Sequence, residues 1–279
     1  MFTETTIAGI RARLAEKRAV GARVALVPTM GALHAGHLRL IDVASESADI
    51  VVASIFVNPL QFGPNEDLAR YPRTLENDEA NLVEHGAALL FAPSVEEMYA
   101  DGGGTTIAPA PFAARCEGAV RPGHFAGVLT VVAKLFNIVQ PDVSVFGRKD
   151  LQQLALIRRM VADLNFATGI VGMDTVREVD GLALSSRNRY LDEQARAVAP
   201  RIRAALVAAR AAFQSGVTDA ASIEAAGVAV MAKEPQLAID YFAVVRESDF
   251  DQPAAATPGD SIVTAVRLGT TRLIDNIQL

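Results

Sequence analysis

Two of the four histidines in the chain, His34 and His37, lie three residues apart in the segment PTMGALHAGHLRLI, shortly after a glycine. The apolar run that leads into this segment predicts a strand, and the residues that follow predict a helix. Such a junction is a typical phosphate site, because a helix start offers backbone N–H groups and the positive end of its dipole. Both rings would lie on one face of the first turns and could donate hydrogen bonds to phosphate oxygens. The pattern favours nucleotide binding, with Gly31 allowing the turn and Gly36 a close approach of ribose or adenine.

Two other interpretations of the histidine pair stay open at this point. The rings could pack or face solvent on an ordinary helix. They could also bind zinc, although no clear set of further cysteine, histidine or carboxylate ligands accompanies them. The strand, glycine and helix around the pair favour the nucleotide hypothesis over both.

A second group of polar residues follows the next apolar run, in the segment FVNPLQFGP. Asn58 and Gln61 carry neutral amides, which can donate to a carboxylate and accept from a hydroxyl group. In an open parallel sheet, ligands bind beyond the carboxyl ends of the strands. These amides are therefore candidates for substrate binding, or they are polar residues of a turn that contains Pro59 and Gly63.

Two further segments carry positive charge. In FGRKDLQQL, Gly147 allows a turn after a predicted strand, and Lys149 offers a compact cation to phosphates. Asp150 can cap the next helix or hold a ribose hydroxyl. In LSSRN, two serine hydroxyls precede Arg187, whose guanidinium can bind phosphate in a fork. Alternatively, Asp150 is only a cap, Lys149 a solvated charge and LSSRN a surface loop.

Apolar strands alternate with helices over the first part of the chain. We predict strands at 23–29, 49–57, 87–93 and 143–147, and helices at 7–20, 33–48, 74–86, 127–141 and 150–165. This alternation predicts an α/β fold with a Rossmann-like, doubly wound parallel sheet. An Ala-rich helical stretch at 191–216 and strands of more alternating character follow. We therefore predict a first domain at 1–174 and a smaller α+β domain at 175–279.

The composition limits the classes of function. Of the 279 residues, 51% are hydrophobic and 21% charged, as in ordinary globular proteins. A net charge of −6 disfavours general nucleic-acid binding. The lone cysteine, Cys116, cannot form an internal disulfide, which favours a reducing compartment. The apolar run at 50–57 is too short to span a bilayer, and the N-terminal stretch has no secretory pattern. We expect a cytoplasmic protein without membrane or nucleic-acid partners.

The string VPTMGALHAGH resembles the HIGH-type signature of the nucleotidyltransferase and class I synthetase superfamily. More narrowly, it is similar to the pantothenate synthetase family, which joins pantoate to β-alanine using ATP. The resemblance continues through SIFVNPLQFGPNEDLARYPRT (54–74), RPGHFAGVLTVVAKLFNIVQPDVSVFGRKDLQQL (121–154) and LALSSRNRYL (182–191). It therefore covers most of the first 191 residues in order.

The resemblance implies a reaction in two steps. The carboxylate of pantoate attacks the α-phosphorus of ATP, which gives pantoyl adenylate and pyrophosphate. The amine of β-alanine then attacks the acyl adenylate, which gives pantothenate and AMP. The resemblance also implies Mg²⁺ bound mainly by the ATP phosphates, a homodimer, and a first domain that binds ATP and pantoate. The position of LSSRN near the domain junction predicts that the second domain acts as a lid.

The resemblance carries roles over to particular residues. The catalytic residues would be His34, His37, Lys149 and Arg187, with His37 as proton donor to the leaving pyrophosphate. The ATP site would comprise Met30, Gly31, Ala32, Leu33, His34, Ala35, Gly36, His37, Gly147, Arg148, Lys149, Asp150, Val176, Leu184, Ser185, Ser186 and Arg187. Pantoate and β-alanine would be bound by Asn58, Gln61, Arg121 and Gln153. Asp78 would help to hold Mg²⁺.

Three other functions are less well supported. A nucleotidyltransferase acting on a phosphate ester would call for more arginine and lysine where the chain has Asn58 and Gln61. A non-catalytic nucleotide-binding module would not need both histidines and both glutamines. A dehydrogenase is disfavoured because no GxGxxG motif follows the first strand.

Overall fold

The computed structural model describes residues 1–64 and 66–279, which divide into two compact units. The first unit comprises residues 1–110, 121–148 and 156–174. The second comprises residues 111–120, 149–155 and 175–279. The long segment of the second unit begins at Thr175, and two short segments from earlier in the chain belong to it as well. The division of function between an ATP-binding domain and a lid stays a prediction.

Six parallel strands form the sheet of the first unit, which confirms the predicted Rossmann-like fold. Along the sheet they stand in the order β1-β4-β3-β2-β5-β6. Their bounds are β1 (Phe2–Glu4), β2 (Val24–Thr29), β3 (Ile50–Ile55), β4 (Leu89–Phe91), β5 (Val143–Gly147) and β6 (Gly169–Met173). The sequence did not predict β1 or β6, because β1 has only three residues and β6 contains two glycines.

Helices cover both faces of this sheet. The helices up to residue 163 are α1 (Ile7–Arg18), α2 (Ala35–Ser45), α3 (Leu75–Glu84), α4 (Val95–Met98), α5 (Cys116–Val120), α6 (His124–Val139) and α7 (Leu151–Asp163), of which α5 and residues 151–155 of α7 belong to the second unit. Ile41 and Ala44 of α2 pack with Ala25 and Val27 of β2 in one core. The alternate β2 residues are equally buried on the opposite face, where α6 contacts β2 and α1 contacts α6.

The direction of winding reverses between β2 and β5. Their pairing sets Ala25 opposite Val143 and Leu26 opposite Ser144, and the Ser144 hydroxyl donates to the Leu26 carbonyl at 2.9 Å. The chain continues from β2 outward to β4 on one side and from β5 to β6 on the other. Ligands of open parallel sheets bind at such a switch point, beyond the carboxyl ends of the strands. Here those ends lead directly into the histidine segment and into Arg148.

Antiparallel strands and two packed helices form the core of the second unit. Strands β7 (Leu237–Val245), β8 (Ser261–Leu268) and β9 (Thr271–Gln278) are consecutive neighbours. Helices α9 (Arg201–Gln214) and α10 (Ala220–Met231) pack on each other and on these strands, and α8 (Glu193–Val198) precedes them. The predicted helical stretch at 191–216 is divided, because Pro200 has no N–H to continue a helix. The α+β character is confirmed, and α10 was not predicted.

Among the described residues, none of the helices is both long enough and apolar enough to cross a membrane.

Candidate active site

The segment after β2 leaves the sheet through a turn that requires unusual backbone angles. Gly31 has φ +83° and Ala32 has φ +51°, both in the left-handed region. His34 is extended and caps α2, which begins at Ala35. The helix therefore starts two residues later than the predicted start at 33, because the cap itself is not helical. The turn carries both histidines to the carboxyl end of the sheet.

The two histidine rings meet, as their spacing predicted. Their centroids are 4.1 Å apart and their planes make an angle of 29°. Nδ1 of His34 accepts a hydrogen bond from the Gly36 N–H at 3.1 Å. Because Nδ1 accepts this bond, a neutral His34 carries its proton on Nε2, which is then the donor.

A buried carboxylate holds the turn from the other side. Asp78, in the first turn of α3, is fully buried, and its two oxygens accept from the N–H groups of Ala32 and Leu33, each at 2.8 Å. The Thr74 hydroxyl also donates to it, at 3.1 Å. In this structure Asp78 anchors the loop. Its predicted role as a Mg²⁺ ligand stays untested. Within residues 1–64 and 66–279, no three histidine, cysteine or carboxylate side chains are grouped to hold a metal ion.

These contacts bear on one expectation about the helix start. The sequence suggested free backbone N–H groups for a phosphate, but those of Ala32 and Leu33 bind Asp78. The Gly36 N–H binds Nδ1 of its own cap, and the His37 N–H binds the His34 carbonyl at 2.8 Å. The N–H groups of these four residues therefore already have partners in the protein, and the two imidazoles are the side-chain donors that the sequence suggested for a phosphate.

The segment after β3 forms a short 3-10 helix, Pro59–Gln61, which Asn58 caps. Asn58 is only 1% exposed, and both ends of its amide bind groups of the protein. Gln61 is partly exposed, and its Nε2 lies 3.0 Å from the sulfur of Met30 in the histidine loop. The structure thus brings together Met30, Asn58 and Gln61. It leaves Gln61 as the amide that can reach a ligand.

Arg121 is engaged in an ion pair rather than presented alone. Its Nε and Nη2 bind the carboxylate of Glu66 at 2.7 and 2.5 Å, and Nη2 also donates to the Gln61 carbonyl at 3.3 Å. Nδ1 of His124 lies 2.8 Å from the same carbonyl. Burial opposes the charge of Glu66, but the hydrogen bond and charge of Arg121 outweigh it and lower the pKa of that carboxyl. Arg121 and His124 therefore hold the main chain of Gln61.

Gly127 permits the close approach of α6 to this turn. A Cβ at residue 127 would overlap the carbonyl of Leu60, which is backbone and cannot move aside cheaply. We expect Gly127→Ala to displace the turn, to destabilise the first unit by about 1–3 kcal/mol and to raise the KM for the ligand of Gln61. Thermal unfolding and steady-state kinetics would measure both effects.

The matched control for this prediction is Gly104→Ala. No atom lies within 4 Å of a Cβ at residue 104, so this variant should behave as wild type. Equal stability and kinetics in the two variants would contradict the proposed close contact.

A second group of predicted site residues lies within the second unit. Nζ of Lys149 donates to the Leu184 carbonyl at 3.1 Å, and the Leu184 N–H donates to the Val176 carbonyl at 3.0 Å. Residues 176–184 turn back on themselves at Gly181, which has φ +88°. The Leu184 carbonyl of this turn holds the side chain of Lys149. Two of the three N–H donors of the Lys149 ammonium remain for other partners.

Arg187 follows directly in a 3-10 helix, Ser186–Tyr190, that Ser185 caps by accepting from the Arg187 N–H at 3.2 Å. Asn188 ties this helix to the turn by donating to the Ala183 carbonyl and to Glu178, each at 3.1 Å. The Ser185 hydroxyl therefore caps this helix, in addition to its predicted contact with a phosphate. Ser186 is buried. Its contact with a phosphate, through the backbone or the hydroxyl, stays a prediction.

The remaining predicted residues lie where β5 ends. Gly147 and Arg148 belong to the first unit, and Arg148 makes an ion pair with Asp174 at 3.6 Å. Asp150 is exposed, and Gln153 is partly buried in the first turn of α7. The neighbour that sequence reasoning missed is Gln152, whose amide binds the carbonyls of Phe112 and Arg115. It secures the helix turn that carries Gln153.

The single cysteine is not arranged as a nucleophile. Burial raises the pKa of the Cys116 thiol to about 11, and the Gln252 amide donates a hydrogen bond to its sulfur at 3.8 Å. A thiol of this kind stays protonated near neutral pH and reacts slowly. The site therefore fits a reaction without a covalent cysteine intermediate.

A family model and two related proteins match this chain over most of its length. A family model described as pantoate-beta-alanine ligase matches residues 3–278. The chain is 51% identical to the pantothenate synthetase of Azotobacter vinelandii, with 100% of this chain and 99% of that protein covered. It is 53% identical to the pantothenate synthetase of Mycolicibacterium smegmatis, with 94% and 82% covered.

Solved structures give the same result. The crystal structure of pantothenate synthetase from Thermus thermophilus superposes with a TM-score of 0.95 at 48% identity, covering 100% of this chain and 99% of that one. The crystal structure of pantoate-beta-alanine ligase from Francisella tularensis, complexed with beta-gamma ATP and beta-alanine, has a TM-score of 0.81 at 33% identity. It covers 100% of this chain and 97% of that chain.

Proposed function

The chain belongs to the pantoate–β-alanine ligase family, and from this premise we propose that it condenses pantoate with β-alanine to give pantothenate, AMP and pyrophosphate. ATP activates the carboxylate through a pantoyl adenylate. The observation that carries the proposal is the stacked histidine pair, held at the end of β2 with Gln61 beside the same loop. The Francisella relative, solved with beta-gamma ATP and beta-alanine, supports ATP and β-alanine as substrates.

The first step forms the bond between pantoate and AMP. A carboxylate oxygen of pantoate attacks the α-phosphorus, the bond to the β-phosphate oxygen breaks, and pyrophosphate leaves. Negative charge grows on the phosphates, so donors placed there lower the barrier. We assign this task to Nε2–H of His34, to His37, to the ammonium of Lys149 and to the guanidinium of Arg187. His37 is the proposed proton donor to the leaving pyrophosphate.

Neutral amides suit the organic acid. Pantoate has a carboxylate and two hydroxyl groups, and an amide can donate to the first and accept from the others. Gln61 and Gln153 are the proposed ligands. Asn58 and Arg121, which the sequence also suggested, act through Gln61, since their own polar groups already bind the protein. Direct contact of these two residues with substrate stays a prediction.

The second step requires mainly positioning. The uncharged amine of β-alanine attacks the acyl carbon of the adenylate, the bond to AMP breaks, and the nitrogen loses a proton. A mixed anhydride is already activated, so holding the amine at the correct distance supplies most of the acceleration. No side chain becomes covalently attached, in agreement with the setting of Cys116.

Three further properties belong to this proposal. Mg²⁺, when bound, would neutralise charge on the ATP phosphates, which can supply most of its ligands. The described residues show no ready-made metal cluster, so no step is assigned to the ion. We also propose a homodimer in the cytoplasm. The net charge of −6 fits an enzyme of small molecules without a nucleic-acid or membrane partner.

One assay tests the function. The purified protein is incubated with ATP, Mg²⁺, pantoate and β-alanine, and AMP, pyrophosphate and pantothenate are measured while each substrate is omitted in turn. Sustained formation of AMP and pantothenate should require both organic substrates. With ATP and pantoate but without β-alanine, pyrophosphate equal to about one enzyme equivalent should appear, because the adenylate then remains bound.

The same assay separates the alternatives. A nucleotidyltransferase would release pyrophosphate with a phosphate ester and produce no pantothenate. A nucleotide-binding module would bind ATP, measurable by calorimetry, without any turnover. Either result would overturn the proposed ligase.

A further inference from the structure

A buried tyrosine lies behind the residues of the proposed pantoate site. Tyr99 follows α4, is 7% exposed, and packs against the ring of Phe56 with centroids 6.0 Å apart. Its hydroxyl donates to Oδ1 of Asn58 at 2.8 Å. The two residues are separated by 41 positions in the sequence. No motif of the sequence pointed to Tyr99, and no step of the proposed reaction uses it.

The orientation of the Asn58 amide can be read from two partners that have no choice of role. A backbone carbonyl only accepts and a backbone N–H only donates. The Gly127 carbonyl lies 3.1 Å from one end of the amide, which must be Nδ2. The Leu60 N–H lies 3.3 Å from the other end, which must be Oδ1. The Tyr99 hydroxyl, which meets Oδ1, must therefore donate.

This orientation determines the polarity of Gln61 in turn. The second hydrogen of Asn58 Nδ2 points to the Gln61 amide at 3.1 Å, so the Gln61 atom that receives it is Oε1. The other end, Nε2, then faces Met30, whose sulfur at 3.0 Å is a weak acceptor. A ligand oxygen could replace that sulfur at little cost.

We propose that Tyr99 is a positioning residue that reinforces the orientation of Asn58 and thereby helps to hold Gln61 with its N–H group, and not its oxygen, towards the organic acid. This inference rests on the proposed function. It specifies the chemistry of the contact: Gln61 selects an oxygen acceptor, such as the carboxylate or a hydroxyl oxygen of pantoate. Burial raises the pKa of Tyr99 to about 12, so its hydroxyl keeps its proton and remains a donor.

The first test compares two tyrosine variants. Tyr99→Phe removes one hydroxyl and leaves the ring, so the Asn58 amide loses one of its protein partners and holds Gln61 less firmly. One lost hydrogen bond corresponds to roughly a three- to tenfold rise in the KM for pantoate, with the KM for ATP within about twofold of wild type. Tyr241→Phe is the control, because it removes a tyrosine hydroxyl that donates to Glu117, 3.1 Å away in the second unit. It should leave the KM for pantoate unchanged.

The second test asks whether Tyr99 acts through Gln61. In a Gln61→Ala background, Tyr99→Phe should have no further effect on the KM for pantoate, because the residue it positions is gone. An undiminished effect in that background would overturn the proposal, as would a wild-type KM for pantoate in folded Tyr99→Phe.

The third test addresses polarity and does not depend on the buried tyrosine. Gln61→Glu replaces the outward N–H by a carboxylate oxygen on a partly exposed side chain. It should raise the KM for pantoate more than Gln61→Ala does, and a smaller rise would contradict the donor role. Wild-type protein that makes no pantothenate would instead refute the proposed function. If the wild-type protein makes pantothenate and Tyr99→Phe has the wild-type KM for pantoate, only the role of Tyr99 is refuted.

Discussion

Replacing His37 with alanine is expected to slow formation of the acyl adenylate by roughly 10²–10⁴-fold, the usual scale for a lost proton donor or charge-stabilising group. His37 lies in the first turn of α2, with its ring 4.1 Å from that of His34. The loss should appear in kcat more than in the KM for ATP, because the leaving pyrophosphate needs its donor in the transition state. Quenched-flow measurement of pyrophosphate release with pantoate and ATP isolates this step.

Another histidine of the first unit provides the control. His85 is distant from the histidine loop in the sequence and has no role in the proposed reaction. Its Nδ1 lies 2.7 Å from a carboxylate oxygen of Asp42. His85→Ala should release pyrophosphate at the wild-type rate. If His37→Ala retained that rate as well, His37 would have no part in the chemistry, and the phosphate charge would have to be stabilised by other groups.

The same loop shows how far the sequence reached. Types and spacing of residues identified the His34–His37 pair, because a strand, a glycine and a helix cap are local features. The sequence also predicted β2, β3 and β5, whose apolar runs are long enough to be recognised. β6 was missed because its glycines weaken the pattern, and β1 because three residues carry almost no periodicity.

The contacts that orient the candidate site could not be predicted in this way. Asp78 lies 46 positions from Ala32 and Tyr99 lies 41 positions from Asn58, so the packing of α3 and α4 decides these hydrogen bonds. Asn58 shows the consequence. An asparagine after a strand looks like a ligand in the sequence, whereas in the structure its amide is buried and bound to the protein on both sides.

Replacing Asp78 distinguishes two roles for this carboxylate, an anchor of the histidine loop and a ligand of Mg²⁺. Asp78→Asn keeps the size of the side chain but sets an NH₂ group against one of the two backbone N–H groups that the carboxylate now accepts. Hydrogen bonds to charged groups contribute about 1.5–3 kcal/mol, so we expect kcat/KM for ATP to fall by roughly 10- to 100-fold. Amide hydrogen exchange should accelerate in a peptide that covers residues 31–34, since the turn loses its anchor.

The dependence on Mg²⁺ distinguishes this anchor from a metal ligand. If Asp78 bound the ion directly, Asp78→Asn would require a higher Mg²⁺ concentration, and excess Mg²⁺ would restore activity. A loop anchor predicts the opposite, because no concentration of Mg²⁺ can replace the acceptors of Ala32 and Leu33. Asp42→Asn, at a partly exposed carboxylate beside His85, should leave ATP kinetics and hydrogen exchange unchanged. Rescue of Asp78→Asn by Mg²⁺ would return Asp78 to the metal site, and the turn would then need another explanation for its backbone angles.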